Sequence, residues 1–166
     1  GKPVDVSPQT IKTVIKKFKG PIEQLPPVYS ALKHKGVPLY KLARRGNPMQ
    51  KPPRCVRIDN ITILKIAHPS IHFEVTCSAG TYVRTLCADI GKSLGCGGHL
   101  SALKRLESSG FTLNQAISMP ELEKLRNSPK LTERIIRMAD ALPDMPQFRA
   151  DTQLADKIRH GKMIST

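Results

Sequence analysis

The chain has 166 residues, of which 39% are hydrophobic and 24% charged, and its 27 lysines and arginines against 13 acidic residues give a net charge of +14. This length suits one domain, or one domain with a short extension, and the composition excludes a chain that is disordered throughout. No apolar run approaches the ~18 residues that a transmembrane helix requires, so we expect no membrane partner.

Hydrophobic periodicity, capping residues and turn residues predict a succession of elements along the chain. In chain order these are a helix from Ser7 to Gly20-Pro21, an extended segment over 25–32, a short helix over 39–45, a loop over 47–54, strands over 56–66 and 71–77, a helix over 83–94, a strand over 100–111, a helix capped by Ser118 and Glu121, a core helix over 132–142, and a small helix over 151–159.

Because these strands and helices do not alternate strictly, the pattern predicts an α+β fold rather than a doubly wound one. We expect a mixed, mainly antiparallel sheet with flanking helices. Pro143 and Pro146 indicate a linker. The predicted organisation is therefore one domain over residues 1–142, followed by a linker and the start of a further domain over residues 143–166.

The positive charge is concentrated in the first third of the chain. Residues 1–57 contain 13 basic and two acidic side chains, and no acid lies between Glu23 and Asp59. Since a field of one sign repels itself, this excess favours a polyanion such as a nucleic-acid backbone as partner. A solvated basic surface without any partner remains the alternative.

The cysteines do not predict a metal site. Cys55, Cys77, Cys87 and Cys96 include no CxxC pair, and their spacing suits neither a zinc ribbon nor a disulfide framework. Cys87 and Cys96 could be combined with His99 as ligands, but free thiols are far commoner. We therefore expect no bound metal.

Two segments concentrate the residue types from which functional sites are built. Residues 77–86 (CSAGTYVRTL) lead from a predicted strand through a glycine turn into a helix, and they present Tyr82 and Arg84 where the strand ends. Residues 94–106 (LGCGGHLSALKRL) contain three glycines that allow close backbone approach. Each segment also has a purely structural interpretation: a core or surface tyrosine with a solvated arginine, and a tight connection, respectively.

Taken together, three separated motifs resemble the bacterial TruB family of tRNA pseudouridine synthases. They are residues 24–33 (QLPPVYSALK) with Gly36, Leu39-Tyr40 and Ala43-Arg44, residues 80–85 (GTYVRT), and residues 94–99 (LGCGGH) with 103–106 (LKRL). The resemblance is strongest from Ser7 to Ser118. Relatives that act inside guide-RNA particles are less similar around Tyr29 to Lys33, so we expect no guide RNA.

The resemblance implies an isomerase without metal or cofactor that flips the uridine at position 55 out of the tRNA T loop and converts it to pseudouridine. Tyr82 would stack on the flipped base and accept the C5 proton, Arg84 would pair with a catalytic aspartate, and Leu103 would line the uracil pocket. The basic side chains implied to contact RNA phosphates are Lys33, Lys35, Lys41, Arg44, Arg45, Arg54, Arg57 and Arg105. The resemblance also implies a monomeric, cytoplasmic enzyme.

One family feature has no counterpart in these residues. The family's catalytic aspartate lies in a glycine-rich loop upstream of all three motifs, whereas Asp89 follows Arg84 and matches a different position, and Asp5 and Asp59 lack the required context. We therefore expect the C-terminal part of a synthase domain, inactive alone, with residues 143–166 leading into a PUA-like RNA-binding domain.

Two further classes remain open from the residues alone. A non-catalytic RNA-binding or RNA-chaperone module accounts for the basic segment but not for residues 80–84. A ribosome-associated structural protein accounts for the net charge but not for a pocket.

Overall fold

The computed structural model describes residues 5–164, and the chain forms two compact units that divide between Lys104 and Arg105. The first unit contains, in chain order, α1 (Pro8–Lys16), β1 (Gly20–Gln24), β2 (Lys33–His34), β3 (Val37–Pro38), α2 (Leu39–Arg44), β4 (Arg54–Ala67), β5 (Ser70–Cys77) and α3 (Val83–Ser93). The second contains β6 (Glu107–Ser108), β7 (Phe111–Thr112), a 3₁₀ turn (Leu113–Gln115), α4 (Met119–Leu125), α5 (Lys130–Glu133) and α6 (Thr152–Arg159).

An antiparallel sheet in the order β1-β4-β5 organises the first unit. β5 alternates half-buried and exposed residues along its whole length, as its sequence pattern predicts. In β4 the same alternation shifts face at two register irregularities, between Ile58 and Asn60 and between Ile63 and Lys65. The mixture of helices with antiparallel strands confirms the predicted α+β class.

The core of this unit lies between the sheet and the two longer helices. Ile11 and Ile15 of α1, Ile58 of β4, and Leu86 and Ile90 of α3 form one buried cluster. Burying an Ile or Leu side chain fully is worth about 1.5–3 kcal/mol, so these contacts fix α3 against β4. The residues that precede α3 are consequently held at the end of the sheet.

The strand β1 is a departure from the sequence prediction, which placed only a helix end at Gly20-Pro21. β1 pairs with β4 so that Pro21 lies opposite Arg57 and Gln24 opposite Arg54. Pro21 is tolerated because β1 is an edge strand, where a missing backbone donor can face away from the ladder. The strand brings Gln24 to the edge from which the site is built.

Two predictions for the later residues are wrong. Residues 100–106 have no strand structure, and only the short hairpin β6–β7 lies within the predicted strand over 100–111. The predicted core helix over 132–142 is replaced by the four-residue α5 and turns, with Met138 87% exposed. An apolar helical pattern gains little stability unless its face is buried, and Ile135, Met138 and Leu142 remain more than half exposed.

Two helix predictions in the second unit are confirmed. Ser118 and Glu121 form the reciprocal capping box at the start of α4, and Asp151 caps α6. Within residues 5–164, every helix is too short or too polar to cross a bilayer.

Candidate active site

The turn that follows β5 runs along the first residues of β4. Ser78 donates its N–H to the Arg57 carbonyl at 2.8 Å and accepts the Arg57 N–H on its hydroxyl at 2.9 Å. Thr81 then closes the turn by donating its hydroxyl to the Ser78 carbonyl at 2.8 Å. Gly80 has a φ of +82°, a conformation that favours glycine. The sequence prediction of a strand, a glycine turn and a helix is confirmed.

Gln24 fixes the backbone of Tyr82 at the end of this turn. Its Oε1 accepts the Tyr82 N–H at 2.9 Å, and its Nε2 donates to the Tyr82 carbonyl at 3.3 Å. The side chain is only 1% exposed. A buried amide whose oxygen and nitrogen are both bonded to one residue's backbone holds that residue as a neighbouring strand would.

Arg54, which lies opposite Gln24 in the sheet, contacts the same turn through its side chain. Its guanidinium carbon lies 4.9 Å from the centroid of the Tyr82 ring, within the range of a cation–π contact. Its Nη2 donates to the Gly80 carbonyl. Arg54 is half-buried, and its Nε is buried without a hydrogen-bond partner.

Arg84 lies in the first turn of α3 and joins this helix to the segment after β1. Its Nη2 donates to the Tyr29 carbonyl at 3.1 Å, and the side chain is exposed. The ion pairs found within residues 5–164 do not include Arg84. The first and second sequence motifs are therefore in contact, and a guanidinium without a carboxylate partner in this part of the chain lies between them.

The glycine-rich third motif packs against its own helix. Gly97 donates its N–H to the Gly91 carbonyl at 3.0 Å. A Cβ on Gly98 would lie 2.9 Å from the Cys87 carbonyl oxygen, and a Cβ on Gly91 would overlap the backbone of Gly97 and Gly98. The close backbone approach that the glycines permit is confirmed, and it occurs at the C-terminal end of α3.

Two titratable groups of α3 are affected by burial. Desolvation raises the pKa of the Cys87 thiol, which favours its uncharged, unreactive form. Desolvation also raises the pKa of Asp89, and the charge of Lys92 opposes that shift. The described residues contain no group of three His, Cys, Asp or Glu side chains placed to hold a metal ion.

Most of the basic residues expected to bind RNA are exposed, as phosphate contacts require. In the first unit they are Lys33, Lys35, Lys41, Arg44, Arg45 and Arg57. Arg44 stacks over the Tyr40 ring at 5.5 Å, and Arg57 forms an ion pair with Asp59 at 2.8 Å. Arg54 differs from this group because Tyr82 and Gly80 engage its guanidinium.

The remaining predicted site residues lie on both sides of the division between the two units. Leu103 is 60% exposed in the irregular segment that ends the first unit. Arg105 is exposed at the start of the second unit. Arg54 thus contacts the turn that leads to Tyr82, and Arg84 lies two residues beyond Tyr82, whereas the Leu103 side chain is largely exposed.

The sequence motif over residues 24–33 includes Gln24 but predicts no role for it. In the structure it lies on the short strand β1, on the same face as Ile22, where an amide replaces an apolar residue. A polar residue at a buried strand position needs internal partners, but the sequence does not predict this strand and therefore offers no signal that singles out Gln24.

Comparisons with known proteins agree over most of the chain. A family described as "TruB family pseudouridylate synthase (N terminal domain)" matches residues 2–83, and "tRNA pseudouridylate synthase B C-terminal domain" matches residues 84–142. The tRNA pseudouridine synthases B of Geobacter sulfurreducens and Syntrophus aciditrophicus are 40% and 41% identical to it, over 94% and 95% of this chain but 51% and 50% of their own lengths. The chain thus spans about half the length of these curated relatives.

Solved structures match the same architecture. A chain of a structure described as "Crystal Structure of a Cbf5-Nop10-Gar1 Complex" is similar with a TM-score of 0.67 and 29% identity, covering 83% of this chain and 39% of that chain. A chain of an H/ACA RNP bound to a substrate RNA containing 2'-deoxyuridine is similar with a TM-score of 0.56 and 27% identity, covering 82% of this chain and 34% of that chain. The two family models match consecutive parts of the chain, which together span residues 2–142 and contain all three motifs. The chain belongs to the TruB family of pseudouridine synthases.

Proposed function

We propose that this chain is part of a tRNA pseudouridine synthase that isomerises the T-loop uridine at position 55. The observation that carries the proposal is the short segment that holds Tyr82 and Arg84. Gln24 at the end of β1 binds the Tyr82 backbone, and the Tyr29 carbonyl in the segment after β1 accepts a hydrogen bond from Arg84. Relatives that are named tRNA pseudouridine synthase B extend the proposal from site to substrate.

The proposed reaction breaks the uridine N1–C1′ bond, turns the uracil and forms a C5–C1′ bond, after which C5 loses its proton and N1 gains one. Substrate and product are isomers, so no oxidant or co-substrate is needed. Tyr82 offers a flat ring to the flipped base and a hydroxyl that lies on the acceptor path for the C5 proton. Arg84 offers a planar guanidinium that binds a carboxylate through two parallel hydrogen bonds.

Arg84 would hold the catalytic carboxylate in place and keep it ionised. A positive charge within ~4–6 Å lowers the pKa of an aspartate by about 1–3 units. Because Arg84 forms no ion pair within residues 5–164, we assign the carboxylate to a segment of the enzyme outside these residues. The chain alone is therefore proposed to be inactive, and residues 143–166 to lead into a PUA-like RNA-binding domain.

The affinity for the T stem-loop comes from the exposed basic side chains of the first unit, which are Lys33, Lys35, Lys41, Arg44, Arg45 and Arg57. Each neutralised phosphate releases counterions and contributes a slope of about 0.7–0.9 in log K against log salt. Binding of tRNA as a monomer, without guide RNA, belongs to the same proposal.

The first experiment measures binding of this chain to a T-arm hairpin and to an anticodon-arm hairpin of equal length and charge. Tighter binding of the T arm supports the proposal. Equal affinity for both hairpins would instead favour a basic RNA-binding module without chemistry.

The second experiment measures tritium release from C5-labelled uridine in the T arm. We expect no turnover by this chain alone, and turnover would refute the inactivity. A fusion of the upstream segment of the Geobacter sulfurreducens relative to this chain should restore release. In that fusion, Arg84→Lys should lower the rate by roughly ten- to a hundredfold while leaving RNA affinity unchanged. The ammonium keeps the charge but loses the paired hydrogen bonds to the carboxylate, and a hydrogen bond to a charged group is worth about 1.5–3 kcal/mol.

A further inference from the structure

Arg54 differs in its surroundings from the basic residues with which the sequence groups it. It begins β4 opposite Gln24, and its guanidinium stacks on the Tyr82 ring while donating to the Gly80 carbonyl. Its Nε is buried, whereas Arg45, nine positions earlier in the same acid-free stretch, is exposed. A guanidinium engaged on its face and at its edge has little surface left for a phosphate.

We infer that Arg54 is a positioning residue of the candidate active site, which orients the Tyr82 ring and locks the Gly80 turn, and is not one of the phosphate contacts. The inference rests on the proposed function for the role of Tyr82 in base stacking. The contacts of Arg54 with Tyr82 and Gly80 do not depend on that function. A base stacked on Tyr82 then uses the ring face opposite Arg54.

The geometry requires arginine and glycine together. A planar guanidinium can stack on a ring with its face and donate a hydrogen bond at its edge, whereas the compact ammonium of lysine cannot do both. At Gly80, an added Cβ would lie 3.3 Å from the Arg54 guanidinium, in a backbone conformation that other residues rarely adopt. Gly80 thus leaves the space that Arg54 occupies.

The test compares Arg54→Gln with Arg45→Gln, two variants that remove the same charge from one basic stretch. Binding of each to the T-arm hairpin is measured over a range of salt concentrations. We expect Arg45→Gln to lower the slope of log K against log salt by about 0.7–0.9, as loss of one phosphate contact does. We expect Arg54→Gln to leave the slope unchanged, and an equal drop for both variants would overturn the inference.

A second measurement does not depend on RNA or on folding of the Arg54→Gln variant. In the NMR spectrum of the unaltered chain, the δ-methylene protons of Arg54 should be shifted upfield by the Tyr82 ring current, and the shift should vanish in Tyr82→Leu. Arg54→Lys should retain the fold but move the Tyr82 ring signals, whereas Arg45→Gln should not. Arg54 protons at their ordinary positions in the unaltered chain would overturn the inference.

The two proposals fail separately. If the chain shows no preference for the T arm, the proposed function is lost while the NMR measurement still decides the position of Arg54. If the T arm is preferred but Arg54 carries no ring-current shift, the positioning role is lost and the proposed function stands.

Discussion

Replacing Gln24 with methionine removes both hydrogen bonds that hold the Tyr82 backbone, with little change in side-chain volume. The Tyr82 carbonyl keeps a second partner, because it also accepts the Leu86 N–H at 3.0 Å. The Tyr82 N–H keeps none, since Gln24 Oε1 is its acceptor. A net hydrogen bond is worth about 1 kcal/mol and an unsatisfied buried donor costs about 1–3 kcal/mol, so we expect Gln24→Met to lower the free energy of unfolding by about 2 kcal/mol.

The assay is urea unfolding followed by circular dichroism, which suits a chain without tryptophan. Gln50→Met is the matched control, because Gln50 is exposed and its Nε2 also donates to a backbone carbonyl, that of Pro26, at 2.8 Å. An exposed substitution of this kind changes stability by about 0.5 kcal/mol or less. If Gln24→Met is no more destabilising than Gln50→Met, the two hydrogen bonds between Gln24 and the Tyr82 backbone do not stabilise the fold by the expected amount.

Gln24→Glu should make stability depend on pH at the same position. One carboxylate oxygen can still accept the Tyr82 N–H, but the other would face the Tyr82 carbonyl, so only the protonated acid can donate there. Burial and this contact raise the pKa of the introduced carboxyl above its usual ~4.3. The folded state then binds the proton more tightly than the unfolded state, so stability falls as pH rises from ~4.3 through the raised pKa. A stability profile parallel to that of the unaltered chain from pH 4 to pH 8 would contradict this.

Two further predictions concern the third motif and the second unit. Gly91→Ala should cost about 1–3 kcal/mol of unfolding free energy, because the new methyl group overlaps the backbone of Gly97; the neighbouring exposed change Lys92→Ala should stay within about 0.5 kcal/mol in the same urea assay. In α4, hydrogen bonds from Ser118 lower the pKa of the Glu121 carboxyl, so the stability they add to the first turn is present at neutral pH and lost as pH falls through that lowered pKa. Ser118→Ala should raise the pKa of Glu121 toward its ordinary value in an NMR titration, and an unchanged pKa would contradict the capping-box account.

The elements that the sequence predicts correctly are those in which apolar residues recur at the regular spacing of a strand or a helix. The alternation in β5 and the apolar stripe of α3 each place one face on the core, so neighbouring residues within a single element carry the information. The capping box of Ser118 and Glu121 is equally local, because both partners lie within one helical turn.

The elements that the sequence misses depend on distant partners. Gly20-Pro21 ends a helix by local rules, and only the pairing of β1 with β4 makes the following residues a strand. Conversely, residues 132–142 carry a helical pattern, but Ile135 remains 65% exposed and the long helix does not form. Hydrophobic periodicity indicates which face of a helix could be buried, but it does not indicate whether another surface is present to cover that face.

The candidate site shows the same division. The order Gly80, Tyr82, Arg84 along a turn is visible in the sequence, since a strand, a glycine and a helix start place it there. The contacts of Gln24 and Arg54 with Tyr82 follow from strand register, which single-sequence patterns do not specify for a short edge strand. For this reason, charge alone groups Arg54 with its exposed basic neighbours.

The hydrogen bonds between Gln24 and Tyr82 join residues 58 positions apart, and this separation affects the order in which the elements of the chain fold. Closing a loop of that length costs about 3.5 kcal/mol of chain entropy, whereas β4 and β5 can pair across a short turn at much lower cost. The hairpin should therefore form first, and β1 should dock on it afterwards. The Tyr82 backbone gains its hydrogen bonds to Gln24 only at that docking step, so a folding intermediate with a complete hairpin would have the Arg54 contact with Tyr82 but would lack the contact with β1. The full set of contacts around Tyr82 would therefore be completed late in folding, when β1 closes the first unit.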